Sequence, residues 1–419
     1  MIPNRFRVRI FPWTPTPDLT LCLQTSPPMA TALTSTNPRL IPDWSVRIPA
    51  LDGLRGVAIL LVLLRHAVFG VSSVQGIETH SRFTFALLSA GQLTWSGVDL
   101  FFVLSGFLIG GILLDARYSP HYFQTFYLRR AYRILPLYFL IIGLSLLPHL
   151  LAEFSAARAA HTSPLPLPWW SYLLFIQNFW MAHLGLFGPS GIGITWSLAI
   201  EEQFYLTIPL LIRNVRPRNL LIVLLTVIAC APWLRVLLHS SMTYAGLANY
   251  VLMPTRADAL CLGVLAALLV RNPEVWAWLQ SRRSILWSVT AVLFLGVVYM
   301  TWQGYDALSF PMTTWGFSWL AAFYACILLI AISPGGFMPR ILQNQALMRL
   351  GTLAYCSYLV HVAIMNALRH PLKAHFPQYP VAAWLTGGIV GIVLTLVVAS
   401  LSYKYFEKPL LRRGHQYVY

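Results

Sequence analysis

Runs of about twenty apolar residues recur along the chain, each closed by a short polar or basic stretch, and a helix of that length crosses the hydrocarbon core of a bilayer. Ten runs set the predicted spans: Leu51–Gly70, Thr94–Leu114, Ile134–Ala152, Thr195–Ile212, Asn219–Leu238, Val251–Val270, Ser284–Trp302, Met312–Ile332, Leu350–Leu368 and Val381–Tyr403. An eleventh candidate, Trp169–Met181, is short and aromatic, as interfacial or re-entrant pieces are. The pattern predicts an all-α fold, a polytopic transmembrane helix bundle with about ten spans. It occupies residues 48–413, between an N-terminal tail at 1–47 and a C-terminal tail at 414–419.

Composition supports the lipid bilayer as solvent. Of the 419 residues 57% are apolar and 10% charged, against roughly a quarter charged in soluble domains. A net charge of +16 could suggest nucleic acid, but the basic residues are dispersed in short clusters at the ends of apolar runs, so no nucleic-acid partner is expected. The cysteines (Cys22, Cys230, Cys261, Cys326, Cys356) have neither disulfide nor metal spacing. The first 47 residues are rich in Pro, Thr and Ser and lack the apolar core of a secretory signal. They read as a disordered cytoplasmic tail, with Met29 as an alternative start.

Charge sets the expected orientation. With the N-terminus inside, one set of loops carries Arg117, Arg129, Arg130 and Arg133, then Arg213, Arg216 and Arg218, then Arg271, Arg282 and Arg283, then Arg340 and Arg349. The opposite loops hold fewer, with Arg82, Arg158, Arg235, Arg369 and Lys373. The positive-inside rule then predicts two cytoplasmic termini, provided Trp169–Met181 does not cross.

Ionisable groups inside spans are costly and mark candidate chemistry. On the first span Arg55 and His66 are eleven positions apart, which separates them by only about 20° around a helix and by roughly 16 Å along it. Asp52 falls within about 60° of both. An interfacial cap and a snorkelling Arg65–His66 pair explain the same residues. Asp99 opens the second span and could be a helix N-terminal charge, while Ser105, Gly106, Gly110 and Gly111 suit close helix packing. Arg130 and Arg133, one turn apart, could grip phosphate bidentately or be a positive-inside cluster.

Glu201 and Glu202 lie about two turns into the fourth span. Two acids without purpose in an apolar helix are hard to explain structurally. Arg256 and Asp258 on the sixth span read as an architectural ion pair, as does Glu407 after the last span as a helix-end charge. His361, mid-depth in the ninth, is a type that on its own is more often a satisfied core histidine. No metal constellation occurs.

Taken in order, these motifs resemble the acyltransferase-3 family of membrane O-acyltransferases. The resemblance runs from about Leu51 to Arg413. It rests on the Arg55–His66 spacing, Arg130-x-x-Arg133, WSLxxE from Trp196 to Glu201, GVDLFFVLSGF and the final FEKP. It implies transfer of an acyl group from a cytoplasmic acyl-CoA, acetyl-CoA being the expected donor, to a hydroxyl of a carbohydrate, lipid-linked or exported acceptor. No bound cofactor is implied. The setting would be a bacterial inner membrane. Some members carry an SGNH esterase-like domain after the spans; this chain stops at Tyr419, so such a partner is expected to be separate. Cys356 stands where many members have Ser before the Tyr–Leu of the ninth span.

The resemblance assigns catalysis to His66, with Glu201, Glu202, Arg55 and Asp52, and acyl-CoA binding to Arg130 and Arg133. Asp99, Arg256, Asp258 and His361 are supporting. Neutral imidazole can act as base or nucleophile, and a neighbouring carboxylate would fix its tautomer. Glu201 and His66 are expected at similar depth, with Glu201 favoured over Glu202. A proton-coupled transporter or flippase of a sugar or lipid-linked substrate needs similar groups, but no inverted repeat or matching pair of broken spans accompanies them. A pure scaffold leaves the two glutamates unexplained.

Overall fold

The computed structural model describes residues 47–70, 91–153 and 166–419. The expected N-terminal tail lies outside them, apart from Arg47. The described chain is helical. Its elements run α1 (Pro49–Ala67), α2 (Gly97–Asp115, entered through a 3-10 turn at Leu93–Ser96), α3 (Tyr122–Glu153), α4 (Trp169–Leu173), α5 (Gln177–Leu184) and α6 (Trp196–Asn214). They continue with α7 (Pro217–Ser241), α8 (Ala245–Val251), α9 (Met253–Val270), α10 (Pro273–Ser281), α11 (Arg283–Trp302) and α12 (Phe317–Ile332). The last are α13 (Phe337–Leu342), α14 (Gln345–His375), α15 (Pro380–Ser402) and α16 (Lys408–Gly414).

Among the described residues eight helical segments are long and apolar enough to cross a membrane. The other two predicted spans are the helices α1 and α6. Each carries three charged side chains, Asp52, Arg55 and Arg65 in one and Glu201, Glu202 and Arg213 in the other. Burial separates an inner from an outer layer. The apolar windows of α2 and of α8–α9 are each 72% buried inside the protein, against 11% for α11.

Sequence explains most of the boundaries. Proline at the first turn starts α1, α7, α9, α10 and α15, where its missing N–H costs no helical bond. The side chain of Asn272 accepts from the Glu274 and Val275 amides at 3.0 and 3.3 Å and caps α10. The Trp169–Met181 stretch is broken at Phe175, whose φ is 54°. It forms the two short helices α4 and α5, neither long enough to span. The third span differs from expectation, because α3 starts at Tyr122 and Arg130 lies about two turns inside it. The sixth is interrupted at Leu252, between α8 and α9.

Two close crossings organise the inner layer. A Cβ on Gly106 would run into the Leu260 carbonyl and one on Gly263 into that of Val103, so α2 and α9 touch backbone to backbone. At the second, Gly56 and Gly351 let α1 lie against the start of α14, and Gly53 lets it meet the Leu342 carbonyl at the end of α13. Without a hydrophobic force between helices in lipid, small residues supply the packing that holds such pairs. These crossings fix which faces of α1, α2 and α14 meet.

Candidate active site

A cavity of about 190 Å³ opens inside the bundle between α1, α2, α3, α6 and α14. Arg55 from α1, Arg130 and Arg133 from α3, and Glu201 and Glu202 from α6 all line it. Three guanidinium groups around one cavity suit an anionic ligand held bidentately. Arg55 is fixed by Asp52, 3.1 Å away, which also receives Arg47 at 2.6 Å. Asp52 itself lies outside this cavity, behind Arg55. Glu201 accepts from Tyr205 at 3.1 Å, and the Tyr205 hydroxyl also contacts Ser105 at 2.6 Å.

The cavity has two distinct ends. At one, Arg55, Leu108 and Ile112 are shared with a second opening of about 230 Å³, which also reaches Arg47, Asp115 and Arg271. An Arg271–Asp115 ion pair of 2.7 Å stands at that rim. At the other end the Ser197 and Tyr358 hydroxyls bond at 2.6 Å, and Phe101 packs against the Tyr358 ring.

One turn beyond Tyr358, His361 meets His66. Its Nε2 lies 3.3 Å from His66 Nδ1, with ring centroids 4.8 Å apart. His66 Nδ1 also lies 3.0 Å from the Val62 carbonyl. Glu201, expected at the depth of His66 as its neighbouring carboxylate, lines the cavity with Glu202 and the arginines. The side chain that bonds His66 is instead a second imidazole. The cause is the α1–α14 crossing, which turns the far end of α1 towards α14. Arg369 of the same helix donates to the His66 and Ala67 carbonyls at 2.7 and 3.1 Å and lies 3.6 Å over the Trp384 ring, closing the end of α1.

The remaining charges form a separate buried cluster. Arg256 pairs with Asp99 and not with its helix neighbour Asp258, which instead receives Arg235 at 3.0 Å. Two residues apart on a helix, Arg256 and Asp258 point to different faces and find partners on α2 and α7. Arg235 also donates to Ser318, and Ser318 to Asp258, both at 2.5 Å. This cluster joins α2, α7, α9 and α12. Glu407 accepts from Ser402 at 3.1 Å. Gly106, Gly110 and Gly111 serve packing.

Two buried arginines were not among the candidates, Arg235 and Arg369, both counted with the loops although Arg235 lies inside the predicted span Asn219–Leu238. Their position within helices α7 and α14 was the available signal, since an arginine inside a span needs a partner. The segment after α16 also folds back on α3. The Tyr417 carbonyl accepts from Arg129 at 2.8 Å and that of Val418 from Thr125 at 2.9 Å. Burial, then Arg129, Arg133 and Arg130, hold the neighbouring His415 imidazole below its usual pKa. Among the described residues no group of three His, Cys, Asp or Glu side chains comes together to hold a metal.

Comparison with known proteins gives this geometry a context. A family profile described as an acyltransferase domain matches residues 48–404. The chain is similar to the O-acetyltransferase OatA of Staphylococcus aureus, 25% identical over 402 residues that cover 88% of this chain and 58% of the relative. It is also similar to the putative peptidoglycan O-acetyltransferase YrhL of Bacillus subtilis, 28% identical over 392 residues, 88% of this chain and 55% of the relative. The chain thus spans little more than half the length of these curated relatives. No solved structure matches it. A profile match over nearly the whole helical bundle, with the motif residues gathered in its interior, means that the chain belongs to the acyltransferase-3 family.

Proposed function

We propose that this protein is a membrane O-acyltransferase that takes an acyl group, acetyl in the first instance, from a cytoplasmic acyl-CoA. The acceptor is a hydroxyl of an envelope carbohydrate, and the protein resides in a bacterial inner membrane with both termini in the cytoplasm. The activities for which the relatives are named support the acetyl group and, for one of them, a peptidoglycan acceptor. The observation that carries the reading is the convergence of Arg55, Arg130 and Arg133 with Glu201 and Glu202 on one cavity, with the His361–His66 pair one turn past its Tyr358 wall. The arginines would bind the phosphates of the donor. At about 190 Å³ the cavity is too small for the whole donor and would hold its phosphate-bearing part, because drug-sized ligands occupy about 300–1,000 Å³. The adjoining opening by Arg47 and Arg271 leaves room for the remainder.

His66 is the base in this reading. It takes the proton of the acceptor hydroxyl as the oxygen attacks the thioester carbonyl carbon. The carbon–sulfur bond then breaks, and the leaving thiolate takes the proton back from the imidazolium. Opposed entry from the two sides of the membrane would let donor and acceptor meet in the bundle. The test is purified protein in liposomes supplied with labelled acetyl-CoA and a peptidoglycan fragment. Acceptor-dependent release of free coenzyme A, with label on the sugar, is expected. Sugar movement across the bilayer with no acyl transfer would replace this reading with a transporter.

A further inference from the structure

We propose that His361 is the positioning residue for His66, supplying through a second imidazole the hydrogen-bond acceptor that a carboxylate more often supplies to a catalytic histidine. The inference rests on the reading of His66 as base.

The tautomers follow from the neighbours. A backbone carbonyl can only accept, so a ring nitrogen bonded to one carries a proton. His361 Nδ1 lies 2.7 Å from the Tyr358 carbonyl and 3.1 Å from that of Ser357, and therefore donates. In neutral His361 this leaves Nε2 bare, and Nε2 is the atom 3.3 Å from His66 Nδ1. His66 Nδ1 in turn lies 3.0 Å from the Val62 carbonyl, so it too carries a proton, shared between that carbonyl and His361. The unprotonated nitrogen of His66 is then Nε2, the form a base requires.

The same geometry favours the charged state of the reaction. When His66 Nε2 takes a proton, the positive charge spreads over the ring and the Nδ1–H bond to His361 becomes charge-assisted. A second proton on His361 would set two N–H groups face to face, so the pair holds one mobile proton and not two. His361 is fully buried and cannot turn to water. Arg369, two turns further along α14, binds the His66 carbonyl, so one helix fixes both the ring and the backbone of His66. This is the service that Asp performs for His in a Ser-His-Asp triad. The Val62 carbonyl alone still holds the tautomer, so loss of His361 should cost less than loss of a triad aspartate.

The experiment is acyl-transfer kinetics of purified, liposome-inserted variants. His361→Ala should lower kcat by about 10–100-fold, with KM for acetyl-CoA changed by less than about two-fold. His361→Gln should recover most of the loss, because its Oε1 can accept where Nε2 did. Adding His361→Ala to His66→Ala should cost nothing further, since a residue acting only through His66 has nothing left to position. If the Ala variant does not insert, His361→Leu keeps the volume and removes the acceptor. Unchanged kcat in the Ala or Leu variant, a Gln variant as impaired as Ala, or the same loss in the His66→Ala background would each overturn the proposal. Near-normal transfer by His66→Ala alone would instead remove the base reading, and the pair with it.

Discussion

Breaking the Arg256–Asp99 pair should destabilise the bundle far more than removing both charges together. The two side chains are 1% and 0% exposed, so neither can find water when its partner is lost. Removing one member of a buried pair costs about 3–5 kcal/mol, whereas replacing both by apolar groups of similar volume is near neutral. Arg256 also lies 3.7 Å over the Phe317 ring, a contact worth up to about 2 kcal/mol when desolvated. Against this, Asp99 Oδ2 and Arg256 Nε and Nη1 have no hydrogen-bond partner among the described residues, and a half-satisfied network is itself costly. The expectation for Arg256→Met is therefore a loss of about 3–5 kcal/mol, and for Asp99→Leu a similar one. The double variant should recover at least about 2 kcal/mol of the sum. Thermal unfolding in one detergent at one heating rate, followed by tryptophan fluorescence, reads this as apparent Tm. Both single variants should fall by several degrees, and the double should sit above the sum of the two losses. Strictly additive losses would show that the pair is not coupled and refute the reasoning.

Under the proposed function, Arg130→Ala or Arg133→Ala should each weaken coenzyme-A binding by about 1.5–3 kcal/mol, with Lys rescuing only in part because it lacks the planar fork; calorimetric titration of the purified variants checks this. Gly263→Leu should push α2 from α9 against the Val103 carbonyl and lower the apparent Tm, while Leu262→Ala on the same helix, away from that crossing, should be milder. Single cysteines at Ser119 and Gln303, in a background with the native thiols replaced, should label from opposite sides of the membrane, with Ser119 cytoplasmic; labelling from one side would overturn the orientation.

The sequence carried the helices and the identity of the charged candidates, but not who would pair with whom. Apolar runs are local signals, so the long helices could be read directly. Arg55, Arg130, Arg133, Glu201 and Glu202 could be picked out because each is costly in lipid, and the structure gathers all five at one cavity. Pairing across helices depends on crossing geometry, which no local pattern encodes. Arg256 sits two residues from Asp258 yet pairs with Asp99, because the helix turns them to different faces and Gly106 and Gly263 bring α2 within reach. The partner of His66 was invisible for the same reason. His361 lies in another helix, and only the close approach of α1 to α14 at Gly56 and Gly351 brings the two rings together.

The central claim, that His66 is the base for acyl transfer inside this bundle, is tested most directly by the rate of label transfer from acetyl-CoA to a carbohydrate hydroxyl. Wild type and His66→Ala would be compared as inserted proteins at saturating donor. The account predicts a fall of at least about 100-fold in kcat for His66→Ala, with His66→Gln no better because its amide cannot take a proton. A His66→Ala protein that transfers the acyl group at a near-normal rate would contradict it.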